Sequence, residues 1–241
     1  YRQNSDFYYL TAFPEPEAIA LLIPDGKHGK FILFNRAEDP AAAIWNGERI
    51  GQTRAKKEYG ANEADPIDQL EAQLPEYISD TRVCYHLGDE KLNHITLARI
   101  NKLLTRLKKT PTADAKKLVD AVHEMRLSKS PTELDCLRRA AHISGEAHLR
   151  AMRACRPGLY EYQLEAELMY AFYQQGSQAV AYPNIVASGA NSCILHYTDN
   201  RAELKSGDLV LIDAGCEYQN YASDITRTFP VKGRFNPEQK A

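Results

Sequence analysis

The chain has 241 residues, 44% of them hydrophobic and 26% charged, enough for one large domain or two modest ones. Its 30 lysines and arginines against 32 acidic residues leave a formal net charge of −2, which gives no footprint for nucleic acid, and no apolar stretch approaches the roughly 20 residues of a membrane span. The five cysteines, Cys84, Cys136, Cys155, Cys193 and Cys216, are odd in number and contain no C-x-x-C pair, which argues against a disulfide framework or a thiolate zinc site and for a reducing cytoplasm.

Residues 1–127 read as an α/β unit. Ala18 to Ile23 and Phe31 to Asn35 are apolar runs joined by the turn-rich Pro24-Asp-Gly-Lys-His-Gly-Lys30, which predicts a hairpin. Val83-Cys-Tyr85 reads as a further strand. Helices are expected at about Ile67 to Leu74 and Lys91 to Lys108, where Ile95, Ala98, Leu103, Leu104 and Leu107 share a face. Lys102 to Lys117 carries six basic residues, read as a solvated helix face rather than a nucleic-acid surface. Trp45, the single tryptophan, lies among turn-prone residues and is expected to pack in the core or against the surface.

Residues 128–241 read as an α+β unit. Ser130-Pro-Thr-Glu133 combines a capping serine, a proline at the first helical position and a glutamate that closes a capping box. That helix should run through Leu134, Leu137, Ala141 and Leu149 to about Cys155, where Arg156-Pro-Gly158 breaks it. Leu164, Leu168 and Phe172 mark a second helix, with Gly176 as its C-terminal cap. Strands are expected at Ile185 to Ala187, at Cys193 to Tyr197, at Leu209 to Ile212 and at about Tyr221 to Phe229, and two helices ahead of an antiparallel sheet indicate α+β.

Several chemical motifs fail on inspection. His123-Glu124 begins like a zincin helix, but Leu127 stands where the second histidine belongs. His142 and Glu146 have ligand spacing on a helix, yet such exposed pairs are common, and Cys216 reads as a small buried thiol. Asp213 and Asp224 are more informative. If the chain reverses around Tyr218-Gln219, the two fall directly opposite each other with Cβ atoms about 5 Å apart, and carboxylates that close repel unless a proton or a cation lies between them. An aspartate near a strand end also caps turns, so the bare pattern leaves a metal and a structural role open. His196, after two apolar residues at a strand end, is placed to reach the same cleft, although taken alone a structural histidine is the favoured reading.

Asp208 to Pro230, with Asp213, Asp224 and Ile225-Thr-Arg-Thr-Phe229, resembles the first metal-ligand segment of the pita-bread metallopeptidases of family M24, most closely the aminopeptidase P branch. His123 to Leu134 resembles that family's entry into the catalytic domain, Ile185-Val-Ala-Ser-Gly189 with His196-Tyr197 its substrate-side segment, and Tyr1 to Phe7 its N-terminal domain. The resemblance implies an N-terminal domain of creatinase/prolidase type followed by a pita-bread catalytic domain, both incomplete here. It implies Asp213 and Asp224 as metal ligands, His196 as a catalytic histidine facing substrate, and two divalent ions, manganese by family likeness. The implied reaction is release of the first residue from peptides with proline second, by a homo-oligomeric enzyme. A prolidase is the alternative within the class, and a non-catalytic peptide- or protein-binding module is the alternative outside it. The family's remaining ligands, a histidine and two glutamates, are expected beyond Ala241. The chain therefore reads as a fragment cut at both ends, and this exact polypeptide is expected to be inactive.

Overall fold

The computed structural model describes residues 1–24, 28–78, 102–106 and 115–240, in two units, Tyr1–Ser128 and Lys129–Ala241. In the first, the expected hairpin forms: β1 (Ile19–Ile23) runs antiparallel to β2 (Lys30–Asn35), with Ile19 opposite Phe34 and Ile23 opposite Lys30. A third strand, β3 (Glu63–Pro66), lies parallel to β2 on its other side. The central strand is covered on both faces, as its unbroken apolar run requires. Ile32 and Phe34 pack with Leu70, Leu74, Leu103 and Leu104, and Leu33 packs with Phe13, Ala55 and Ala61.

The named helices of this unit are α1 (Ser5–Thr11), α2 (Pro40–Asn46), α3 (Gly51–Tyr59), α4 (Leu70–Tyr77) and α5 (Ala115–Leu127). The first two are too short to show periodicity and begin at side-chain caps instead. The Asn4 side chain accepts from the amides of Asp6 and Phe7, and Asp39 accepts from Ala42 ahead of Pro40. Residues 102–106 are helical, with Leu103 and Leu104 buried. The expected strand Val83 to Tyr85 and most of the expected helix from Lys91 lie outside the described residues. Trp45 departs from expectation: it is 85% exposed at the end of α2, a helix with no buried residue.

The second unit opens with α6 (Pro131–Ala154), held at its start by the expected capping box: Ser130 Oγ accepts from the Glu133 amide, and the Glu133 carboxylate accepts from the Ser130 amide. Ala140, Ile143, Ala147 and Ala151 of α6 meet Leu164, Leu168 and Phe172 of α7 (Glu161–Gln174), and small residues on α6 let the two helices approach closely. Against them lie two three-stranded sheets. One orders β5 (Ile185–Ser188), β6 (Leu209–Ala214) and β9 (Ile225–Pro230), and the other β4 (Ala179–Val180), β7 (Cys216–Tyr218) and β8 (Tyr221–Ala222). Leu209 to Ile212 is not buried on both faces. Val210, Ile212 and Ala214 enter the helix-facing core while Leu209, Leu211 and Asp213 take the opposite face, the two-residue period of a half-covered antiparallel sheet.

The expected strand at Cys193 to Tyr197 does not form. A 3-10 turn occupies Gly189–Cys193, and the chain continues irregularly with Ile194 and Leu195 exposed. Their apolar character suggested burial, but no neighbouring strand pairs with this backbone among the described residues.

Candidate metal centre

Asp213 and Asp224 lie on one long two-stranded ribbon that passes from the first sheet into the second. Asp213 pairs with Thr226, and Tyr218 with Tyr221, around a two-residue turn in which Gln219 and Asn220 have φ of 49° and 66°. Two successive positive φ values are the type I′ geometry of tight hairpins. The reversal therefore falls one residue later than expected, and the two aspartates are diagonal neighbours rather than direct partners. Moving the turn by one residue changes each pairing by two, so Asp224 stays on the face of Thr226 and hence of Asp213. Asp224 also lies in the break between β8 and β9, not inside a strand.

Gly215 makes the crossing possible. A Cβ there would stand 1.8 Å from the Ser223 carbonyl oxygen, so only glycine permits the two backbones to approach this closely. From behind, α6 holds the crossing with polar side chains. Ser144 Oγ accepts from the Cys216 amide at 3.0 Å and lies 2.8 Å from Ser223 Oγ, and His148 Nε2 donates to the Ala214 carbonyl at 3.1 Å. Burial holds the His148 imidazole below the ordinary histidine value, against the opposing pull of that carbonyl bond.

A tyrosine completes the front. Val180 pairs with Cys216 and Ile185 with Asp213, so residues 181–184 span only two residues of the opposing chain and bulge outward. Tyr182, in this bulge, donates its hydroxyl to Asp213 Oδ1 at 2.5 Å and lies 3.0 Å from Asp224 Oδ1. Burial, then the bonds to Asp213 and Asp224, push the phenol far above its usual pKa, so it stays protonated. One hydroxyl proton cannot fully satisfy two carboxylates. Among the described residues neither aspartate forms an ion pair, so the cluster retains a demand for positive charge. An all-oxygen set of this kind suits a hard divalent cation. The fit is one of donor type: among the described residues no group of three or more His, Cys, Asp or Glu side chains is arranged to hold a metal ion.

His196 does not join the aspartates in a bonded cluster; it is exposed, on the irregular stretch after the 3-10 turn. That stretch is held instead by buried Glu161, which accepts from Ser188, Asn191, Tyr197 and Ala202. Of the motifs set aside, His142 and Glu146 are exposed, His123 lies 3.4 Å from Asp6, and Cys216 is a buried thiol. Tyr182, Glu161, Ser144 and His148 carried no visible sequence signal, since each acts through a partner at least 27 residues away. Gly215 was open to suspicion as a glycine inside a strand pattern.

A ribbon that displays two carboxylates on the open face of a sheet backed by two helices suits the metal chemistry of a metallopeptidase domain. Comparison with known proteins agrees. Residues 135–241 match the model for metallopeptidase family M24, and residues 1–85 match the aminopeptidase P N-terminal domain. By these matches residues 135–241 form a domain of metallopeptidase family M24 type and residues 1–85 one of aminopeptidase P N-terminal type. It is 47% identical over 246 residues to the Xaa-Pro aminopeptidase of Escherichia coli strain K12, covering 100% of this chain and 56% of that protein. It superimposes with a TM-score of 0.89 on proline aminopeptidase P II from Yersinia pestis, at 46% identity, over 100% of this chain and 56% of the other. A zinc-substituted E. coli aminopeptidase P in complex with product gives a TM-score of 0.88 at 45% identity, again covering 100% and 56%. The chain thus spans about half the length of the relatives it matches. Among the described residues no helix is long and apolar enough to cross a membrane.

Proposed function

We propose that this chain contributes the first metal ligands and the substrate-side histidine of an exopeptidase that releases the N-terminal residue from peptides with proline in second place. The observation that carries the reading is the convergence of Asp213 and Asp224 on the single hydroxyl of Tyr182, two carboxylates gathered with too few protons. Asp213 and Asp224 would hold the metal, a pair of divalent ions that the oxygen donors make hard or borderline and family likeness makes manganese. Such ions supply Lewis acidity and lower the pKa of a water towards neutrality.

The chain's own residues do the rest. Tyr182, protonated at neutral pH, fixes the rotamers of both carboxylates through its hydroxyl. His196 donates a hydrogen bond to the carbonyl oxygen of the scissile bond, a contribution of about 10²- to 10³-fold in rate for one such donor. The names of the relatives favour an Xaa-Pro aminopeptidase over a prolidase, and the free thiols among the described residues, Cys136, Cys155, Cys193 and Cys216, suit a reducing compartment such as the cytoplasm. A homo-oligomer follows from family likeness and is read by light scattering. The decisive assay offers the full-length protein an Xaa-Pro-Xaa tripeptide and an Xaa-Pro dipeptide. Cleavage of the tripeptide is expected; cleavage of the dipeptide alone would make the protein a prolidase, and cleavage of neither would favour a binding module.

A further inference from the structure

Glu161, the first residue of α7, is fully buried, yet among the described residues its carboxylate forms no ion pair; it accepts five hydrogen bonds instead. Oε1 takes the Ser188 amide at 2.7 Å, Ser188 Oγ at 2.8 Å and Asn191 Nδ2 at 3.2 Å. Oε2 takes the Tyr197 hydroxyl at 2.8 Å and the Ala202 amide at 2.9 Å. These donors sit at both ends and near the middle of residues 188–202. One helical turn on, Glu165 accepts from Asn184 and Asn200, and Asn200 in turn bonds the Val186 amide and the Asn184 carbonyl. Two carboxylates spaced i, i+4 on one helix face therefore tie down the stretch that carries His196.

That stretch has little else to hold it. Ile194 is 53% and Leu195 is 84% exposed, and no strand pairs with residues 194–199 among the described residues. A carboxylate is costly to bury, and its lone pairs must all be met for it to remain charged. Burial alone would raise the Glu161 pKa; the bonds from Ala202, Ser188 and Tyr197 together outweigh it and keep the group ionised at neutral pH. The arrangement concentrates that investment beside one residue: Tyr197, which donates to Oε2, directly follows His196 in the chain.

We propose that Glu161 is a positioning residue that, through Tyr197 and both ends of residues 188–202, fixes where His196 stands on the substrate side of the site. This rests on the role given to His196 under the proposed function. Glu161→Gln preserves size but replaces one acceptor oxygen with an amide that donates, stranding at least two of the five donors.

The test uses the full-length protein and has two arms. Hydrogen exchange needs no turnover: in Glu161→Gln, exchange over residues 188–202 should quicken about 10-fold or more while β6 and β9 keep their wild-type rates. Unchanged exchange in 188–202, or an equal rise in β6 and β9, overturns the tether. On an Xaa-Pro-Xaa tripeptide, Glu161→Gln should lower kcat about 10-fold with KM little changed, and the loss should vanish in a His196→Ala background. Equal losses in both backgrounds overturn action through His196. Tyr197→Phe removes one of the five bonds and leaves the fold, so it carries the same comparison, with a smaller loss, if Glu161→Gln does not fold. A wild-type protein that cleaves no Xaa-Pro peptide overturns the proposed function, and exchange then still decides the tether.

Discussion

Gly215→Ala is the sharpest perturbation the fold offers. The added methyl would stand 1.8 Å from the Ser223 carbonyl oxygen, 2.6 Å from its carbon and 3.1 Å from the Asp224 amide nitrogen, all backbone atoms with no side chain to swing aside. A carbon normally approaches a carbonyl oxygen to about 3.3 Å, so the two backbones must part by roughly 1.5 Å. That displacement strains the 3.0 Å bond from the Ser223 amide to the Cys216 carbonyl and the Ser144 and Ser223 hydroxyl pair behind it. Overpacking costs about 1–3 kcal/mol and each lost hydrogen bond about 1 kcal/mol, which gives about 3–5 kcal/mol in total. Asp224 moves with Ser223, so metal affinity should fall along with stability. Gly145→Ala is the control: apart from its own helix backbone and chain neighbours nothing lies within 4 Å of the added Cβ, and alanine in mid-helix should stabilise by about 0.5–1 kcal/mol. Urea denaturation reads both. A Gly215→Ala midpoint equal to wild type would refute the claim that the crossing depends on backbone contact.

Three further outcomes follow from the second unit. Ser130→Ala should cost about 1 kcal/mol in denaturant unfolding, because it removes the side-chain acceptor for the Glu133 amide. Tyr182→Phe should weaken manganese binding about 10- to 100-fold in calorimetric titration, the usual cost of losing a partner that orients metal ligands. Glu161 sets an acid limit. Its folded pKa lies below the unfolded value of about 4.3, so its stabilisation is full above that pH and is lost as pH falls through the folded value. Denaturation midpoints taken from pH 7 downward should therefore drop below about pH 4.3 in wild type and drop less in Glu161→Gln.

The parts of the fold legible in the sequence were those specified locally. Ser130 to Glu133 encodes its helix start within four residues, and the hairpin of β1 and β2 follows from two apolar runs and the turn between them. The ribbon of Asp213 and Asp224 was legible as to face and not as to register. Side-chain alternation survives a one-residue shift of the turn, but the shift makes direct partners diagonal. Ile194 and Leu195 suggested a strand because apolar residues usually signal burial; here a buried carboxylate, far off in sequence, shapes the chain instead. Tyr182 was invisible for a similar reason. Its position depends on a bulge of residues 181–184 that appears only once two strands are paired with the same ribbon.

The most direct test of the account is the metal content of the full-length protein and of its Asp213→Ala and Asp224→Ala variants, measured by plasma mass spectrometry after equilibration with manganese. The account predicts bound manganese in the wild type and its loss from both variants. Wild-type metal content in either variant would contradict the assignment of Asp213 and Asp224 as ligands.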